Sequence, residues 1–330
     1  MMSGHSKGNP MRRHILCLAA LAAVAALPAA AQTWPPQGRP VTIIVPYPAG
    51  GGTDTSARMM AAGLERELKA NFQVVNRVGA ASQVGLSELV RAKPDGMTLA
   101  YMVLPTVVTH YLDPKRLAIY TRANFTPIFM HYTSSMTLSA RADGPLKSLK
   151  DLVEAARAAP GKMRISDSGL LGTPHVEALM LGQVAGVQFT SVHFGGGPPS
   201  VTALLGGHVE VLAGGVSDAL PHAKAGTFRV LGVASAEPDP TMPEAPTMRS
   251  QGYDVIAASI GALVGPAGLP APIVNALVEA GRKVVADPDH VKKISDFGSA
   301  ITFKGPDGLT EVWQDQERRM KPLLEKLEER

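Results

Sequence analysis

The sequence predicts two α/β lobes with a cleft between them, and three observations carry that expectation. Short β-branched runs alternate with helix-like stretches, the pattern of a mostly parallel sheet with helices on its faces. The alternation starts afresh near residue 141, which gives a second lobe. A proline-rich stretch, "EPDPTMPEAPT", then interrupts that series before strand-like composition resumes; it reads as a surface connection returning the chain to the first lobe. With 330 residues, 45% of them apolar, there is material for two domain-sized cores. The expected division is residues 32–140 plus 258–330 for the first lobe and 141–257 for the second.

The first 31 residues stand outside this plan. Arg12 and Arg13 precede an apolar run from Ile15 to Leu27 and a small-residue site at Ala29, Ala30 and Ala31, the signature of a cleaved secretory signal. The run is shorter than the about 20 apolar residues a spanning helix needs. The mature chain is therefore expected to begin near Gln32 and to be soluble and periplasmic, with Met11 an alternative start. Cys17 lies inside the run rather than closing it, unlike a lipid-attachment cysteine. The mature chain then has no cysteine, which excludes thiol catalysis and cysteine-ligated metals. Lys7, Arg12 and Arg13 supply three of the positives behind the formal charge of +4, leaving +1 on the mature chain. No basic run or aromatic-basic interleaving suggests nucleic acid.

In chain order, "PVTIIVPYP" reads as a strand buried on both sides. Thr55 to Lys69 places Ala57, Met60, Ala61, Leu64 and Leu68 at helical spacing. "FQVVNRV", the helical "SQVGLSELVRA" and "MTLAYMVL" continue the rhythm, with "KPDG" as a turn. Ser148 with Asp151 three positions on opens the helix "LKDLVEAARAA" as a capping-box start. Strands follow at "MRIS", "FTSV", "VEVLAG" and "FRVLGVAS", with helices from about Thr173, Pro199 and Asp218. "YDVIAASIGALVGP" resumes strand composition, and the tail from "APIVNALVEAGRKVVADP" to "DGLTEVWQDQERRMKPLLEKLEER" is helical by pattern.

Three glycine-rich loops are the candidates for chemistry. "YPAGGGTDTSAR" lacks the Lys and Ser/Thr of a nucleotide P-loop. It offers glycines for close backbone approach, then Thr53 and Asp54 at a helix start, where free N–H groups and the helix dipole form an anion site without a cationic side chain. The same residues also fit a tight turn that Asp54 merely caps. "SGLLGTPH" repeats the design with Gly172, Thr173 as N-cap and Pro174 at the first helical position. "HFGGGPPS" is a third such turn. Enzyme readings fare worse: "HVE" lacks the cysteine pair of a zinc deaminase, and His175, His193 and His222 lack metal-ligand spacing. "AASIG" around Ser259 weakly matches a nucleophile elbow, but Asp287, Asp289 and His290 crowd into one segment. No catalytic residue, metal or cofactor is expected.

With these motifs in order, the chain from about Arg39 resembles the Bug family, periplasmic solute-binding receptors of tripartite tricarboxylate transporters. "RPVTIIVPYPAGGGTDTSAR" is similar to the family's opening strand and P-A-G-G-x-x-D-x-x-A-R loop; "VVNRVGAASQVG", "KPDGMTLAY", "GTPH", "LLGGHVEV", "APT" with "QGY", and "GPAGLP" follow. The resemblance implies a two-lobed, type II-like periplasmic binding protein fold holding a small organic acid between the lobes, with membrane permease subunits as partners and, in some members, a signalling sensor. It implies first-lobe contacts at Tyr47, Ala49, Gly50, Thr53, Asp54 and Thr106, and second-lobe contacts at Gly172, Thr173, His175 and Phe194. Phe194 and Gly195 stand where the family commonly has Tyr-Lys, Ser250 where Glu, Ile260 where Trp, Glu210 where Asp and Ser82 where Gly is usual. Anion loops with such a wall imply a carboxylate with a less polar body.

Overall fold

A computed structural model describes residues 34–36 and 38–328. The expected leader, with Met11, Cys17, the Ala29–Ala31 site and the start near Gln32, lies outside the described residues. All strands and helices among the described residues belong to one unit, Gln37–Arg330.

The first sheet grows from β1 (Val41–Val45), whose apolar run is buried on both faces because β2 (Phe72–Asn76) and β3 (Thr98–Leu104) flank it in parallel and helices cover it. Helix α1 (Gly52–Leu68) follows β1 and buries Ala57, Met60, Ala61 and Leu64 of the predicted stripe, while Leu68 at its end is half-buried. Gly63 on α1 lets it sit tightly against α8 (Ala271–Ala286), since a Cβ there would stand 2.5 Å from Val284 Cγ1. The short α2 (Gln83–Leu89) and α3 (Thr106–Leu112) flank β3 in the chain.

β4 (Phe125–Arg141), a 17-residue strand, was not expected from the pattern. Its first half pairs antiparallel with β9 (Ala258–Pro266) and β10 (Ala300–Lys304), giving the order β2-β1-β3-β9-β4-β10. From Met136 onward it pairs antiparallel with β7 (Val211–Gly215) and β8 (Phe228–Val233). Parallel strands β5 (Arg164–Asp167) and β6 (Thr190–His193) complete a second sheet, β6-β5-β7-β4-β8. Because one strand serves two sheets and is buried along most of its length, it lacks the period-2 alternation that marks a half-buried strand.

The second series otherwise folds as expected: α4 (Leu149–Ala158) has the Ser148–Asp151 capping box, with α5 (Thr173–Ala185), α6 (Gly197–Leu205) and α7 (Val216–Lys224) behind it. The tail contains α8, α9 (Pro288–Asp296), the unexpected strand β10 and α10 (Pro306–Glu328). Each lobe has its own core. Helix α5 lies between them, contributing Val176 to the core of the first sheet and Ala178 and Leu181 to that of the second. One correction concerns its start: Gly172, not Thr173, is the N-cap, and Pro174 takes the second helical position.

Candidate functional site

A cavity of about 70 Å³ lies where α1, α3, α5, α6 and α7 all begin. Four of these are full helices with Gly51, Gly172, Gly196 and Gly215 as N-caps, so no N-cap side chain blocks their first turns, although Thr106 Oγ1 takes the Thr173 N–H and Pro174, Pro198 and Pro199 have none. Gly52 and Thr53, Thr173 and Pro174, Gly197 and Pro198, and Gly215 and Ser217 line the space. Hydroxyls of Tyr47, Thr106, Tyr132, Ser134, Ser168 and Ser259 complete much of the wall, and no Lys, Arg or His lies among the described lining residues. Backbone donors and helix dipoles thus supply the positive potential, each dipole giving about 0.3–1 kcal/mol toward an anion.

The two lobes meet tightly around this space. Thr106 Oγ1, at the start of α3, accepts from the Thr173 N–H at 3.1 Å and lies 3.1 Å from Thr173 Oγ1, while Thr109 Oγ1 donates to Leu171 O at 2.9 Å. Arg116 joins the Ala80 and Leu170 carbonyls at 2.7 and 2.8 Å. Gly196, at φ +152°, presses against Pro48 so closely that a Cβ would stand 2.5 Å from its Cδ. Gly169 faces Ala81 in the same way, in a turn where Ala80, Ala81 and Ser82 all have positive φ. The positive φ of Ser82 (87°) explains why glycine suits that position. In β9, Gly261 leaves room for the Tyr132 ring, a Cβ there falling 2.1 Å from the ring edge.

Of the predicted contacts, Tyr47, Thr53, Thr106 and Thr173 line the cavity; Ala49, Gly50, Asp54, Gly172, His175 and Phe194 do not. Asp54 buttresses its loop from behind: its carboxylate accepts from Gly50 N at 2.9 Å, Asn76 Nδ2 at 2.8 Å and Arg58 Nε at 3.0 Å. Burial pushes this carboxyl up, but the bonds from Arg58, Gly50 and Asn76 outweigh it and hold it below the usual range. His175 does the same in the second lobe, its Nδ1 accepting from Leu171 N at 2.9 Å. Phe194 packs with Val192 and Val201 on the core beneath α6, so its missing hydroxyl is not missing from the cavity wall. Burial pushes the Tyr47 phenol up, partly offset by the nearby Ser82 and Thr106 hydroxyls and the Arg116 charge.

Folding also brings together what sequence spacing kept apart. Asp167, His175 and His193 place one donor atom each within 4.8 Å of one another. The Leu171 N–H occupies Nδ1 of His175, so the proton sits on Nε2 and the ring has no lone pair left for a metal. Asp167 Oδ1 is 2.9 Å from His193 Nδ1 and also accepts from Gly169 N, tying the β5 and β6 loops together. Ser259 lines the cavity, yet its hydroxyl partner among the described residues is Met136 Sδ at 4.0 Å; His290 instead meets buried His131 at 2.9 Å, Nε2 to Nε2. The residue that sequence reasoning missed is Asp218, the one acid in the lining. A signal existed, because "AGGVSD" ending at Asp218 has the same A-G-G-x-[ST]-D spacing as "AGGGTD" ending at Asp54.

Comparison with known proteins gives one consistent result. The profile of the tripartite tricarboxylate transporter family receptor matches residues 56–328. The chain is 28% identical over 285 residues to BugT of Bordetella pertussis, covering 86% of each chain. Among solved structures it is similar to MatC from Rhodopseudomonas palustris with bound malate (27% identity, TM-score 0.82, 87% of this chain and 99% of that one). It is also similar to the periplasmic binding protein BugD (27%, TM-score 0.81, 88% and 97%) and to an R. palustris protein with adipate (25%, TM-score 0.82, 88% and 97%).

Proposed function

The chain belongs to the tripartite tricarboxylate transporter family receptors, and from that membership we propose that it captures a small organic carboxylate between its lobes and delivers it to membrane permease subunits. The observation that carries the reading is the cavity where four full helices begin, lined by N–H groups and hydroxyls with no cationic side chain among the described residues. Hydrogen bonds to a charged group contribute about 1.5–3 kcal/mol each. Several of them, with the dipoles, reach the roughly 8 kcal/mol of micromolar affinity. Bound malate and adipate in the two R. palustris relatives support the ligand class. The chain acts as a receptor rather than a catalyst, a reading supported by a Ser259 whose hydroxyl partner among the described residues is Met136 Sδ. Export through the leader in residues 1–31 would place it in the periplasm. Lobe boundaries near residues 140 and 257 are supported by β4, which changes sheets between Ser135 and Met136, and by β9, which begins at Ala258.

The test is thermal unfolding of the mature chain against a panel of organic acids. A ligand present at 100 times its Kd stabilises by about 2.7 kcal/mol, so at least one acid is expected to raise the midpoint clearly. A flat response across the panel, with ester turnover that Ser259→Ala abolishes, would overturn the receptor reading.

A further inference from the structure

Asp54 and Asp218 end the same A-G-G-x-[ST]-D run and both occupy the third position of a helix, yet their charges are handled in opposite ways. Asp54 has Arg58 four residues on, and Asn76 besides. Four residues on from Asp218 stands His222, whose ring is turned away to stack on Phe228 at 4.5 Å. One Asp218 oxygen, Oδ2, accepts from Gly215 N at 3.0 Å. The other, Oδ1, makes no hydrogen bond among the described residues and is not fully buried. It stands so near Gly197 that a Cβ there would be 2.6 Å away. Asp218 lines the cavity and is half-buried. Burial pushes its carboxyl above the ordinary range, only partly offset by the Gly215 N–H.

A carboxylate enclosed in this way is costly unless a cation or donor meets it. The protein supplies none at Oδ1, although the rest of the lining is built to receive an anion. We propose that the missing partner is carried by the ligand: Asp218 receives an ammonium group, and the acid this receptor selects is a zwitterion, an α-amino acid rather than a simple hydroxy- or dicarboxylate. The inference rests on the carboxylate-receptor reading and specifies its substrate class. Opposite charges are divided across the cavity, with the ligand carboxylate at the helix starts and its ammonium at Asp218. A hydroxy acid offers Asp218 only a neutral hydroxyl, and a dicarboxylate turns a second negative charge toward it, so neither supplies the charge pairing that favours the zwitterion. A volume of about 70 Å³, roughly half that of a 150 Å³ cavity that holds benzene, suits the smaller members of the class.

Matched pairs that exchange only NH3+ for OH test this by calorimetry on the mature chain: glycine with glycolate, alanine with lactate, aspartate with malate. In at least one pair the amino acid is expected to bind tenfold or more tightly than its hydroxy partner. Asp218→Asn keeps an acceptor for Gly215 N and so keeps the helix cap. It is expected to lose at least tenfold for that amino acid while leaving the hydroxy acid unchanged or improved. Equal or tighter binding of the hydroxy acids by the unaltered chain would overturn the inference and leave the receptor standing. So would a preference that survives in Asp218→Asn, or dicarboxylate binding to which a protonated Asp218 donates and Asn substitutes freely. Binding of no acid in any pair or in the wider panel would instead overturn the receptor reading, and this inference with it.

Discussion

The loops at Gly50–Asp54 and Leu171–His175 solve one problem with different chemistry. Each has a residue with positive φ (Gly50 at 79°, Leu171 at 56°), then an extended glycine N-cap, then three helical residues, the last of which reaches back four positions to accept a backbone N–H. In the first lobe that residue is an ionised aspartate tied to Arg58 and Asn76; in the second it is a histidine kept neutral by burial, its pKa lowered to about 4. The shared geometry shows that the helix starts are aimed by groups behind them. The unlike side chains show that the aim depends on a satisfied N–H rather than on charge.

The largest effect is expected on breaking the charged version. Asp54→Ala removes the acceptor of the Gly50 N–H and one of the two acceptors of Asn76 Nδ2, which keeps Tyr47 O, and leaves Arg58 without its carboxylate. Hydrogen bonds to a charged group contribute about 1.5–3 kcal/mol each. A loss of about 2–4 kcal/mol in denaturant unfolding is expected, together with weaker ligand binding because the α1 start loses its orientation. Unchanged affinity in a variant destabilised by that amount would separate the buttress from the cavity.

His175→Ala removes one acceptor and is expected to cost about 1–2 kcal/mol at pH 7.5. The comparison sharpens on acidification. An unfolded histidine titrates near 6.5, and the folded ring binds its proton more weakly, with a pKa of about 4. Its contribution is therefore complete above about pH 6.5 and declines as pH falls toward 4, by roughly 1.4 kcal/mol per unit inside that window. The cost of His175→Ala should thus shrink to near zero by about pH 5.5. Asp54, whose pKa is lowered, keeps its contribution until pH falls below the ordinary carboxylate range, so the cost of Asp54→Ala should persist. Glu177, fully buried without a hydrogen-bond partner among the described residues and held neutral by burial, has the opposite sign: its contribution is lost as pH rises. It affects the unaltered chain and each variant alike, so differences between them isolate His175 and Asp54. Parallel pH profiles for the two variants would show that the loops are not distinguished by charge.

What the sequence made legible follows from how local each signal is. The helix starts at Gly52, Thr173, Gly197 and Val216 are encoded within a few residues by glycine, proline and short polar side chains, and they were readable to within about two positions. The side of the loop that Asp54 or His175 faces was not, because spacing at i and i−4 fits a buttress as well as a ligand contact. β4 was hidden for a related reason: Ser135 pairs with Ala258 in one sheet and Met136 with Gly215 in the other, and no local pattern records a change of partner. Asp218 marked only the approximate start of a helix, where it does accept the Gly215 N–H. His222 in place of an arginine like Arg58 is visible in the sequence, but the place of Asp218 in the lining shows only when the cavity is assembled.

Phe194 gives the smallest expected effect and the sharpest check on reading a wall from sequence. A phenylalanine where the family resemblance implies tyrosine suggests a less polar cavity only if the ring faces the ligand. Here the ring packs with Val192 and Val201 beneath α6, and the lining keeps hydroxyls from Tyr47, Thr53, Thr106, Tyr132, Ser134, Thr173, Ser217 and Ser259. Restoring the hydroxyl in Phe194→Tyr is expected to alter stability by no more than about 0.5 kcal/mol and ligand affinity less than twofold. A tenfold change in affinity, read by calorimetry with whichever acid binds, would mean that Phe194 turns into the cavity when ligand is present and that the cavity wall changes on binding.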